Sequence, residues 1–360
     1  MELNKTISVR KGEALEADII DPIIKDHIEG LEGTPTIRQF ASGHSNLTYS
    51  LTYGADTQFE RKLVLRRPPF GTIPKSGHSM IREFTVMNKL KPVYPIVPNT
   101  YFHMTAQDSP LGAEFYVMEQ VEGYKLEKDI PKSWSFSASD NRTLCENFFD
   151  KLIDLHTVDF KSIGLGDFGK AEGYVERQIK GWNGRFEKAY TDDVEDFKDV
   201  RNWLESVMPA GEVSHAICHG DFRLDNIILN KDNPFEIDAV LDWEISALGD
   251  PLMDLGNTLA YWSQAGDPPE LEMLRMQPCN ADGMLTREEI CERYAAATGH
   301  DLSHFAFYHV YGVFRLAAIL QQIYYRYYHG QTQNKDFAKF GKSVNLLGNY
   351  ARSLIEKSGL

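Results

Sequence analysis

The chain has 360 residues, of which 42% are hydrophobic and 25% are charged, and its formal net charge is −14. This length and apolar content can bury a large core in two lobes, and no low-complexity block, flexible linker or fixed-period repeat interrupts the sequence. The surplus of acidic side chains argues against a nucleic-acid partner, because phosphate backbones are bound by basic surfaces.

The first residues, Met1-Glu2-Leu3-Asn4, lack the charged and apolar regions of a signal peptide. The spacing of the cysteines matches neither a metal site nor a set of disulfides; they are Cys145, Cys218, Cys279 and Cys291. Reduced thiols of this kind suit the cytosol. We therefore predict a cytoplasmic protein.

Residues 37–53 have the pattern of a strand, a turn of small residues and a second strand. Backbone amides in such a turn can bind phosphates. We therefore predict that the turn contacts a nucleotide through Ser42, Gly43, His44, Ser45 and Asn46. Because this turn contains a single Gly, an ordinary hairpin turn is the alternative.

The next predicted strand, from Lys62 to Arg66, ends in a cation, and apolar residues at helical spacing predict a helix over 80–90. This helix carries Glu83, for which a solvated carboxylate is one interpretation; the other, a partner for Arg66, depends on the resemblance described below. Strand alternation turns Arg67 to the opposite face, where we expect a solvated strand end.

Residues 115–123 form an apolar strand that leads into a polar joint ending at Gly123. Farther on, amphipathic helices such as 144–156 could form the wall of a ligand pocket. We expect His156 to pack against or cap its own helix. The acidic run at 192–196 predicts a solvated helix face, with long-range attraction of a polycation as the alternative.

Residues 219–226 read His-Gly-Asp-Phe-Arg-Leu-Asp-Asn, and Asp242 follows sixteen residues later. Phosphoryl transfer requires an oriented acceptor hydroxyl, oxygen ligands for Mg²⁺ and neutralisation of developing charge. Asp221 can accept the hydrogen bond of the hydroxyl, while Asn226 and Asp242 offer the oxygens that Mg²⁺ prefers. For each residue alone, the alternative is a turn cap.

Two short apolar runs, 226–229 and 239–241, flank a segment rich in turn formers. This pattern predicts a β-hairpin. The hairpin would bring Asn226, at the start of its first strand, close to Asp242, at the end of its second. Both side chains could then contact one ion.

Asp250 follows Asp242 by only eight positions. A protein kinase needs roughly twenty to thirty residues here for the activation segment that holds its peptide substrate. We therefore predict a small molecule as the phosphate acceptor.

Residues 305–328 are the stretch that most resembles a membrane span. Polar and charged side chains are spread along it, however, and such groups are costly in hydrocarbon. We predict a long buried helix that ends at Gly330, and no membrane partner.

With these motifs the chain resembles the aminoglycoside phosphotransferase and choline kinase-like superfamily, whose catalytic loop reads His-Gly-Asp where protein kinases carry His-Arg-Asp. Within it, segments 219–226, 240–244 and 248–255 are similar to the branch that includes the kinase-like domain preceding acyl-CoA dehydrogenase modules in some animal proteins. The resemblance extends from Ile37 to Gly330.

The resemblance implies an α+β, bilobal protein kinase-like fold. An N-terminal lobe of antiparallel sheet, residues 1–120, would bind the nucleotide. A larger and mainly helical C-terminal lobe, residues 121–360, would carry the catalytic and substrate-binding residues.

The resemblance also implies roles for residues of the catalytic region. Asp221 stands at the position of the catalytic base, and Asn226 and Asp242 stand at those of the metal ligands. His219 and Asp254 would support the catalytic loop.

For nucleotide binding, the resemblance places Arg66 where kinases have the Lys that binds the α- and β-phosphates, and Glu83 where that Lys has its partner. Backbone groups from Glu119 to Val121 would meet the adenine edge at the hinge. The candidate substrate contacts near the C-terminus are Arg315, Tyr325 and Arg326, with surface or packing roles as the alternative.

The function implied is ATP- and Mg²⁺-dependent phosphorylation of a hydroxyl on a small molecule. The acyl-CoA dehydrogenase branch indicates a hydroxyacyl-CoA or a related hydroxy compound, whereas the wider family indicates an aminoglycoside, choline or another amino alcohol. A nucleotide-binding pseudokinase scaffold is an alternative of another class, although Asp221, Asn226 and Asp242 are all present. Preference for ATP over GTP, a second metal at Glu244 and the oligomeric state stay open.

Overall fold

The computed structural model describes residues 5–41, 46–69 and 79–360 and confirms the α+β fold, with an N-terminal antiparallel sheet and a helical C-terminal part. The predicted phosphate-binding residues Ser42, Gly43, His44 and Ser45 lie outside the described residues. The chain forms two compact units. The first consists of 1–125, 163–165 and 226–246, and the second of 126–162, 166–225 and 247–360. The functional lobes 1–120 and 121–360 stay a prediction.

The first unit contains a six-stranded antiparallel sheet in the order β1-β2-β3-β4-β6-β5. Its strands are β1 (Thr6–Ile7), β2 (Thr36–Phe40), β3 (Leu47–Tyr53), β4 (Arg61–Arg67), β5 (Thr100–Met104) and β6 (Phe115–Glu119). Alternate residues of β3 and β4, such as Tyr49, Leu51 and Leu65, are buried with Ile20 and Ile24 of helix α1 (Ala17–His27). One face of the sheet is therefore the core of this unit.

Helix α2 (Met80–Leu90) has the bounds that the sequence predicts. The Ser79 side chain accepts a hydrogen bond from the Arg82 amide and caps the first turn. The buried residues of α2 include Glu83 and Val86. The apolar spacing of the helix thus buries one carboxylate along with its hydrophobic face.

The prediction that Arg67 is a solvated strand end is wrong. Arg67 is only 4% exposed, and its Nε donates to the Pro68 carbonyl oxygen at 3.3 Å. Alternation does turn it away from Arg66, but it places Arg67 on the same side of β4 as the core residues Leu63 and Leu65. Burial lowers the pKa of this guanidinium.

The predicted hairpin is confirmed within the first unit. Strand β8 (Ile227–Leu229) pairs in antiparallel fashion with β9 (Ile237–Val240), following β7 (Ala216–Cys218) of the second unit in the chain. Leu229 exchanges two backbone hydrogen bonds with Tyr124, at 2.8 and 2.9 Å. A Cβ at Gly123 would lie 2.2 Å from the Leu229 carbonyl oxygen, so this close approach requires glycine.

The second unit is mainly helical. Its helices are α3 (Ala138–His156), α4 (Tyr174–Lys188), α5 (Lys198–Ser206), α6 (Pro251–Ala260), α7 (Pro269–Glu272), α8 (Arg287–Thr298), α9 (Phe305–Tyr328) and α10 (Phe340–Ser358). Strand β7 pairs with β10 (Ala247–Gly249) in a separate two-stranded sheet. Across the described ranges, no helix combines the length and apolar character that a membrane span requires.

Helix α9 is the long buried helix that the sequence predicts, and Gly330 follows its end with a φ of 68°. It packs closely against α6 at two glycines. A Cβ at Gly312 would lie 2.1 Å from the Gly256 carbonyl oxygen, and one at Gly256 would lie 2.3 Å from the Tyr308 carbonyl oxygen. These glycines allow α9 and α6 to approach each other closely.

The carboxylates of the acidic run at 192–196 are exposed, as the sequence predicts, but the run does not form a helix face. It lies in the segment between α4 and α5, where Asp193 accepts a hydrogen bond from Tyr324 and Asp192 accepts one from Tyr328. Glu195 pairs with Arg352 at 2.6 Å. These carboxylates tie the segment to α9 and α10 of the same unit.

Candidate active site

The first unit brings four residues of the sequence analysis together around Arg66. We refer to Asn46, Arg66, Glu83, Asp242 and Glu244 as the Arg66 cluster. The guanidinium of Arg66, on β4, donates from Nη1 to Glu83 Oε1 of α2 at 2.6 Å. The predicted pairing of these two side chains is therefore present. Glu83 is only 1% exposed, so this ion pair is formed away from bulk water.

The segment after the hairpin supplies the other carboxylates. Asp242 has a φ of 69° and precedes a single 3-10 turn, Trp243–Ile245. Arg66 Nη2 lies 2.7 Å from Asp242 Oδ1 and 3.4 Å from Glu244 Oε2. The same Glu244 oxygen accepts a hydrogen bond from Asn46 Nδ2 at 2.6 Å. One guanidinium thus contacts three carboxylates, and one of these, Glu244, also binds Asn46, the last residue of the predicted small-residue turn.

The hairpin also sets the place of Asn226. The Leu241 amide donates to the Asn226 carbonyl oxygen at 2.8 Å, so the residue just before β8 lies beside the residue just after β9. Trp243 is buried, and its Nε1 donates to the Val240 carbonyl oxygen at 2.9 Å. The first of these contacts brings the two predicted metal ligands to the same end of the hairpin.

Burial and surplus negative charge determine the protonation of this cluster. Burial raises the pKa of Glu83 to about 7; Arg66 opposes that rise, while Asp242 and Glu244 add to it. Burial alone would lower the pKa of Arg66, but Glu83 and Asp242 hold it well above its ordinary value. The guanidinium is therefore charged, and Glu83 retains a proton to a higher pH than an ordinary glutamate does.

The predicted hinge residues lie at the end of β6. Glu119 is its last residue, and its carboxylate accepts hydrogen bonds from the amide and side chain of Asn99 at 2.8 and 2.5 Å. The next amide, of Gln120, donates to the Lys62 carbonyl oxygen at 3.2 Å. Val121 lies between this position and Gly123, outside any strand. Adenine recognition by this segment stays a prediction.

In the second unit, the loop after β7 carries Asp221, and Asp254 of α6 holds its backbone. Asp254 accepts hydrogen bonds from the amides of His219 at 2.6 Å and Gly220 at 2.7 Å. His219 is fully buried, and its Nδ1 accepts from the Asp221 amide at 3.2 Å. Gly220 has a φ of 83°, a conformation that favours glycine. Both predicted supports of the loop therefore contact it.

His156 is packed, as the sequence predicts, but its partners lie on other helices, and one of them is Asp254, which holds the loop. Its Nε2 lies 3.1 Å from Asp254 Oδ2, and its Nδ1 lies 2.8 Å from the Tyr294 hydroxyl. Burial would raise the pKa of Asp254, yet the hydrogen bond from His156 and the loop amides hold it below its ordinary value. Asp254 is therefore a charged anchor for the loop.

The immediate partner of Asp221 is a residue to which the sequence analysis gave no role. Arg223 Nε lies 3.2 Å from Asp221 Oδ1, and its Nη2 lies 3.0 Å from Asp225 Oδ2. Its guanidinium also lies over the ring of Tyr261, 4.6 Å from the centroid. The position of Arg223 inside the motif 219–226 could have indicated this contact, whereas nothing in the sequence indicates a role for Tyr261.

The predicted substrate contacts on α9 separate into two sites. Arg315 is buried, and its Nη2 donates to the Gly220 carbonyl oxygen at 3.0 Å, beside Asp221. Tyr325 and Arg326 lie ten and eleven residues farther along the helix, which corresponds to about 15 Å along its axis. The Tyr325 ring packs on His329 at 4.3 Å. The helix therefore brings only Arg315 to the catalytic loop.

Comparison with known proteins places these features in a family. Residues 36–290 match the model of the phosphotransferase enzyme family, APH. Acyl-CoA dehydrogenase family member 10 of Mus musculus is 32% identical over 98% of this chain and 32% of its own length. Family member 11 of Homo sapiens is 29% identical over 94% of this chain and 43% of its own length. The chain thus spans well under half of either relative.

Solved structures show the same fold over nearly the whole chain. A "putative aminoglycoside phosphotransferase" from Ralstonia eutropha JMP134 has 27% identity and a TM-score of 0.79, covering 95% of this chain and 98% of its own. Choline kinase from Cryptosporidium parvum Iowa II shares the fold at 15% identity and a TM-score of 0.65, covering 96% and 97% of the two chains. With the family match to residues 36–290, we conclude that the chain belongs to the phosphotransferase enzyme family.

Proposed function

We propose that the chain transfers the γ-phosphoryl group of ATP, in the presence of Mg²⁺, to a hydroxyl group of a small molecule. The observation that carries this proposal is Arg66, held at 2.6 Å by Glu83 and at 2.7 Å by Asp242. A charged fork fixed beside an aspartate suits the binding of nucleotide phosphates with their metal.

The residues of the Arg66 cluster fit this pair of ligands. Arg66 Nε and Asn46 Oδ1 are buried atoms with no hydrogen-bond partner among the described residues, so each has capacity for a ligand. The Asp242 side chain is 34% exposed and can reach an ion. Asp242 and Asn226 would hold Mg²⁺, leaving its other positions to phosphate and water. Bound there, Mg²⁺ would neutralise charge that develops on the phosphates.

Asp221 would accept the hydrogen bond of the acceptor hydroxyl and orient its oxygen for attack. The two amides bound to Asp254 and the contact from His156 keep the loop that carries Asp221 in one conformation. The motif 219–226 joins this loop directly, along the chain, to the proposed metal ligand Asn226. Asp221, proposed to orient the hydroxyl, and Asn226, proposed to hold the metal, thus belong to one short motif. The other proposed metal ligand, Asp242, follows that motif in the chain.

For the acceptor, we propose a hydroxyacyl-CoA or a related hydroxy compound. The support is the name of the relatives, which are acyl-CoA dehydrogenase family members 10 and 11. An amino alcohol or an aminoglycoside is the second candidate, supported by the choline kinase and aminoglycoside phosphotransferase structures of the same fold. We place the protein in the cytoplasm, a compartment that suits its four unpaired cysteines.

The test is a panel of these acceptors with ATP and Mg²⁺, in which ADP formation and the phosphorylated product are measured together. We expect Asp221→Asn to lower turnover by about 10²–10⁴-fold, while ATP binding measured by calorimetry stays close to that of the wild type. Asp199→Asn is the matched control, because this exposed carboxylate pairs with Arg352 away from the loop.

Two results would overturn the proposal. Wild-type turnover in Asp221→Asn would remove Asp221 from the reaction. A wild-type protein that binds ATP but phosphorylates no member of the panel would favour the nucleotide-binding scaffold.

A further inference from the structure

The loop that carries Asp221 is also held by a buried glutamine from a distant part of the second unit. Gln277 lies in the segment between α7 and α8, and its side chain is fully buried. Its Oε1 accepts a hydrogen bond from the Leu224 amide at 2.8 Å, across 53 residues of the chain. Its Nε2 donates to the Tyr261 carbonyl oxygen at 3.2 Å. Both ends of this amide group therefore have a partner.

The position of Leu224 gives this contact its interest. Leu224 comes three positions after Asp221 and two before the proposed metal ligand Asn226. Asp254 holds the start of the loop through two amides, whereas Gln277 holds the part that follows Asp221. A buried amide that loses its acceptor costs free energy, so the contact with Gln277 favours one conformation of this part of the loop.

The same glutamine holds both supports of Arg223. Its bond to the Leu224 amide fixes the peptide group that joins Arg223 to Leu224. Its bond to Tyr261 fixes the residue whose ring centroid lies 4.6 Å from the Arg223 guanidinium. Arg223 Nε in turn lies 3.2 Å from Asp221 Oδ1. A series of contacts therefore connects Gln277 through Arg223 to the Asp221 carboxylate.

Arg275 fixes the backbone of Gln277. This buried guanidinium donates from Nη1 to the Gln277 carbonyl oxygen at 3.1 Å and also to the Lys128 carbonyl oxygen. Its Nη2 pairs with Asp129 at 2.8 Å, and its Nε pairs with Glu272 at 2.6 Å. The glutamine that holds the loop is thus attached to the segment that precedes α3 in the same unit.

We propose that Gln277 is a positioning residue for phosphoryl transfer, which acts through Arg223 on the orientation of the Asp221 carboxylate. The inference rests on the proposed phosphotransferase function. In that reaction the carboxylate orients the acceptor hydroxyl, and a displacement of about 1 Å can cost about a hundredfold in rate. Loss of the Gln277 side chain should therefore lower kcat and leave the affinity for ATP nearly unchanged.

Gln277→Met removes both hydrogen bonds at nearly constant side-chain size. With an acceptor found in the panel, we expect kcat to fall by about tenfold to a hundredfold, while the Kd for ATP with Mg²⁺ changes by less than about twofold. Gln321→Met is the matched control, because Gln321 is equally buried and donates to the Ala189 carbonyl oxygen at 2.7 Å, at the end of α4. It should lower the urea unfolding midpoint and leave kcat unchanged.

A double-mutant cycle with Asp221→Asn distinguishes positioning from general destabilisation. If Gln277 acts through Asp221, Gln277→Met should cost less than about threefold in kcat in the Asp221→Asn background, because the carboxylate that it positions is already absent. A loss caused by destabilisation would have the same size in both backgrounds. Gln277→Glu, which keeps an acceptor for the Leu224 amide, should retain part of kcat.

Unchanged kcat in Gln277→Met would overturn the inference, as would an equal loss in the two backgrounds. If Gln277→Met does not fold, the same cycle with Gln277→Glu decides. Either failure leaves phosphoryl transfer to a hydroxyl in place. ATP binding by the wild type without phosphorylation of any acceptor in the panel is a different result, which contradicts the proposed function and the inference with it.

Discussion

The Arg66 cluster and the surroundings of Asp221 use arginine in different ways. In the first unit, one guanidinium contacts three carboxylates, of Glu83, Asp242 and Glu244. In the second unit, Arg223 bridges the carboxylates of Asp221 and Asp225 and lies over the ring of Tyr261, and Arg315 donates to the loop backbone at Gly220.

The difference indicates what each region can take up. A group with surplus carboxylates is completed by a divalent cation, whose charge a single arginine cannot replace. Arginines that are already shared with carboxylates, a ring and a backbone carbonyl fix the position of the loop that carries Asp221. Under the proposed function, the first region would bind the metal with its nucleotide and the second would orient the acceptor hydroxyl.

The largest effect expected in nucleotide binding is that of Asp242→Ala, because it removes a proposed Mg²⁺ ligand from the Arg66 cluster. Loss of this ligand should weaken ATP binding in Mg²⁺ by about a hundredfold and remove its dependence on Mg²⁺, because removing even a supporting contact of a metal site typically costs 10–100-fold. Asn226→Ala should act in the same direction but less. Calorimetric titrations with and without Mg²⁺ measure both effects. If both variants kept the wild-type Mg²⁺ dependence, the assignment of the metal site would be wrong.

Arg66→Met removes the cation at the centre of the Arg66 cluster and leaves its carboxylates in place. We expect it to weaken ATP and ADP binding by about tenfold to a hundredfold while adenosine, which has no phosphates, is little affected. Glu83→Gln should give a milder loss in the same direction, since the cation remains but is less firmly held.

Arg67→Met is the matched control for Arg66, because the neighbouring arginine faces the core of the same unit. We expect it to change the urea unfolding midpoint and leave nucleotide affinity nearly unchanged. Equal loss of ATP and adenosine affinity in Arg66→Met, or a larger phosphate-specific loss in Arg67→Met, would contradict the assignment.

The smallest effect expected is a pH dependence of stability that follows from the surplus carboxylates. Burial raises the pKa of Glu83 from 4.5 to about 7, so the folded protein binds this proton more tightly than the unfolded chain. Its contribution to the free energy of unfolding is fully present below 4.5 and is lost as the pH rises through about 7. The slope is at most about 1 kcal/mol per pH unit.

Urea unfolding of the wild type and Glu83→Gln between about pH 5 and about pH 8 measures this contribution. The variant should lack the fall in stability with rising pH, and identical slopes would disprove it. His309→Leu is a comparison of opposite sign, because burial lowers the pKa of His309 to about 3. That histidine contributes stability which is lost as the pH falls below its ordinary value of 6.5.

Local signals were sufficient to predict much of the fold. Helices α2 and α9 have the predicted bounds, because apolar spacing and a following Gly330 act within a few turns of the chain. The hairpin was predictable from its turn formers, and the pairing of Arg66 with Glu83 from the resemblance to kinases, which place a cation on this strand and its acidic partner on the next helix.

Predictions that depended on distant neighbours failed or were never made. Arg67 was expected at the surface, yet its side of β4 is covered by residues from α1. The run 192–196 was expected to form a helix face, yet it lies between α4 and α5, where Tyr324 and Tyr328 of the distant helix α9 bond two of its exposed carboxylates. The residues of α1 and α9 that make these contacts lie too far along the chain to be included in the short windows over which apolar periodicity is assessed.

The sequence by itself determined the types of residue available for chemistry and their local spacing, from His219 to Asn226 and on to Asp242. Only the tertiary structure decided which charges meet. It placed Asp242 and Glu244 on the guanidinium of Arg66, 176 and 178 residues away, and Arg315 on the loop of Asp221, where it reaches Gly220 across 95 residues. Electrostatic interactions depend on separation in space and on burial, and neither quantity is encoded in the distance between two residues along the chain.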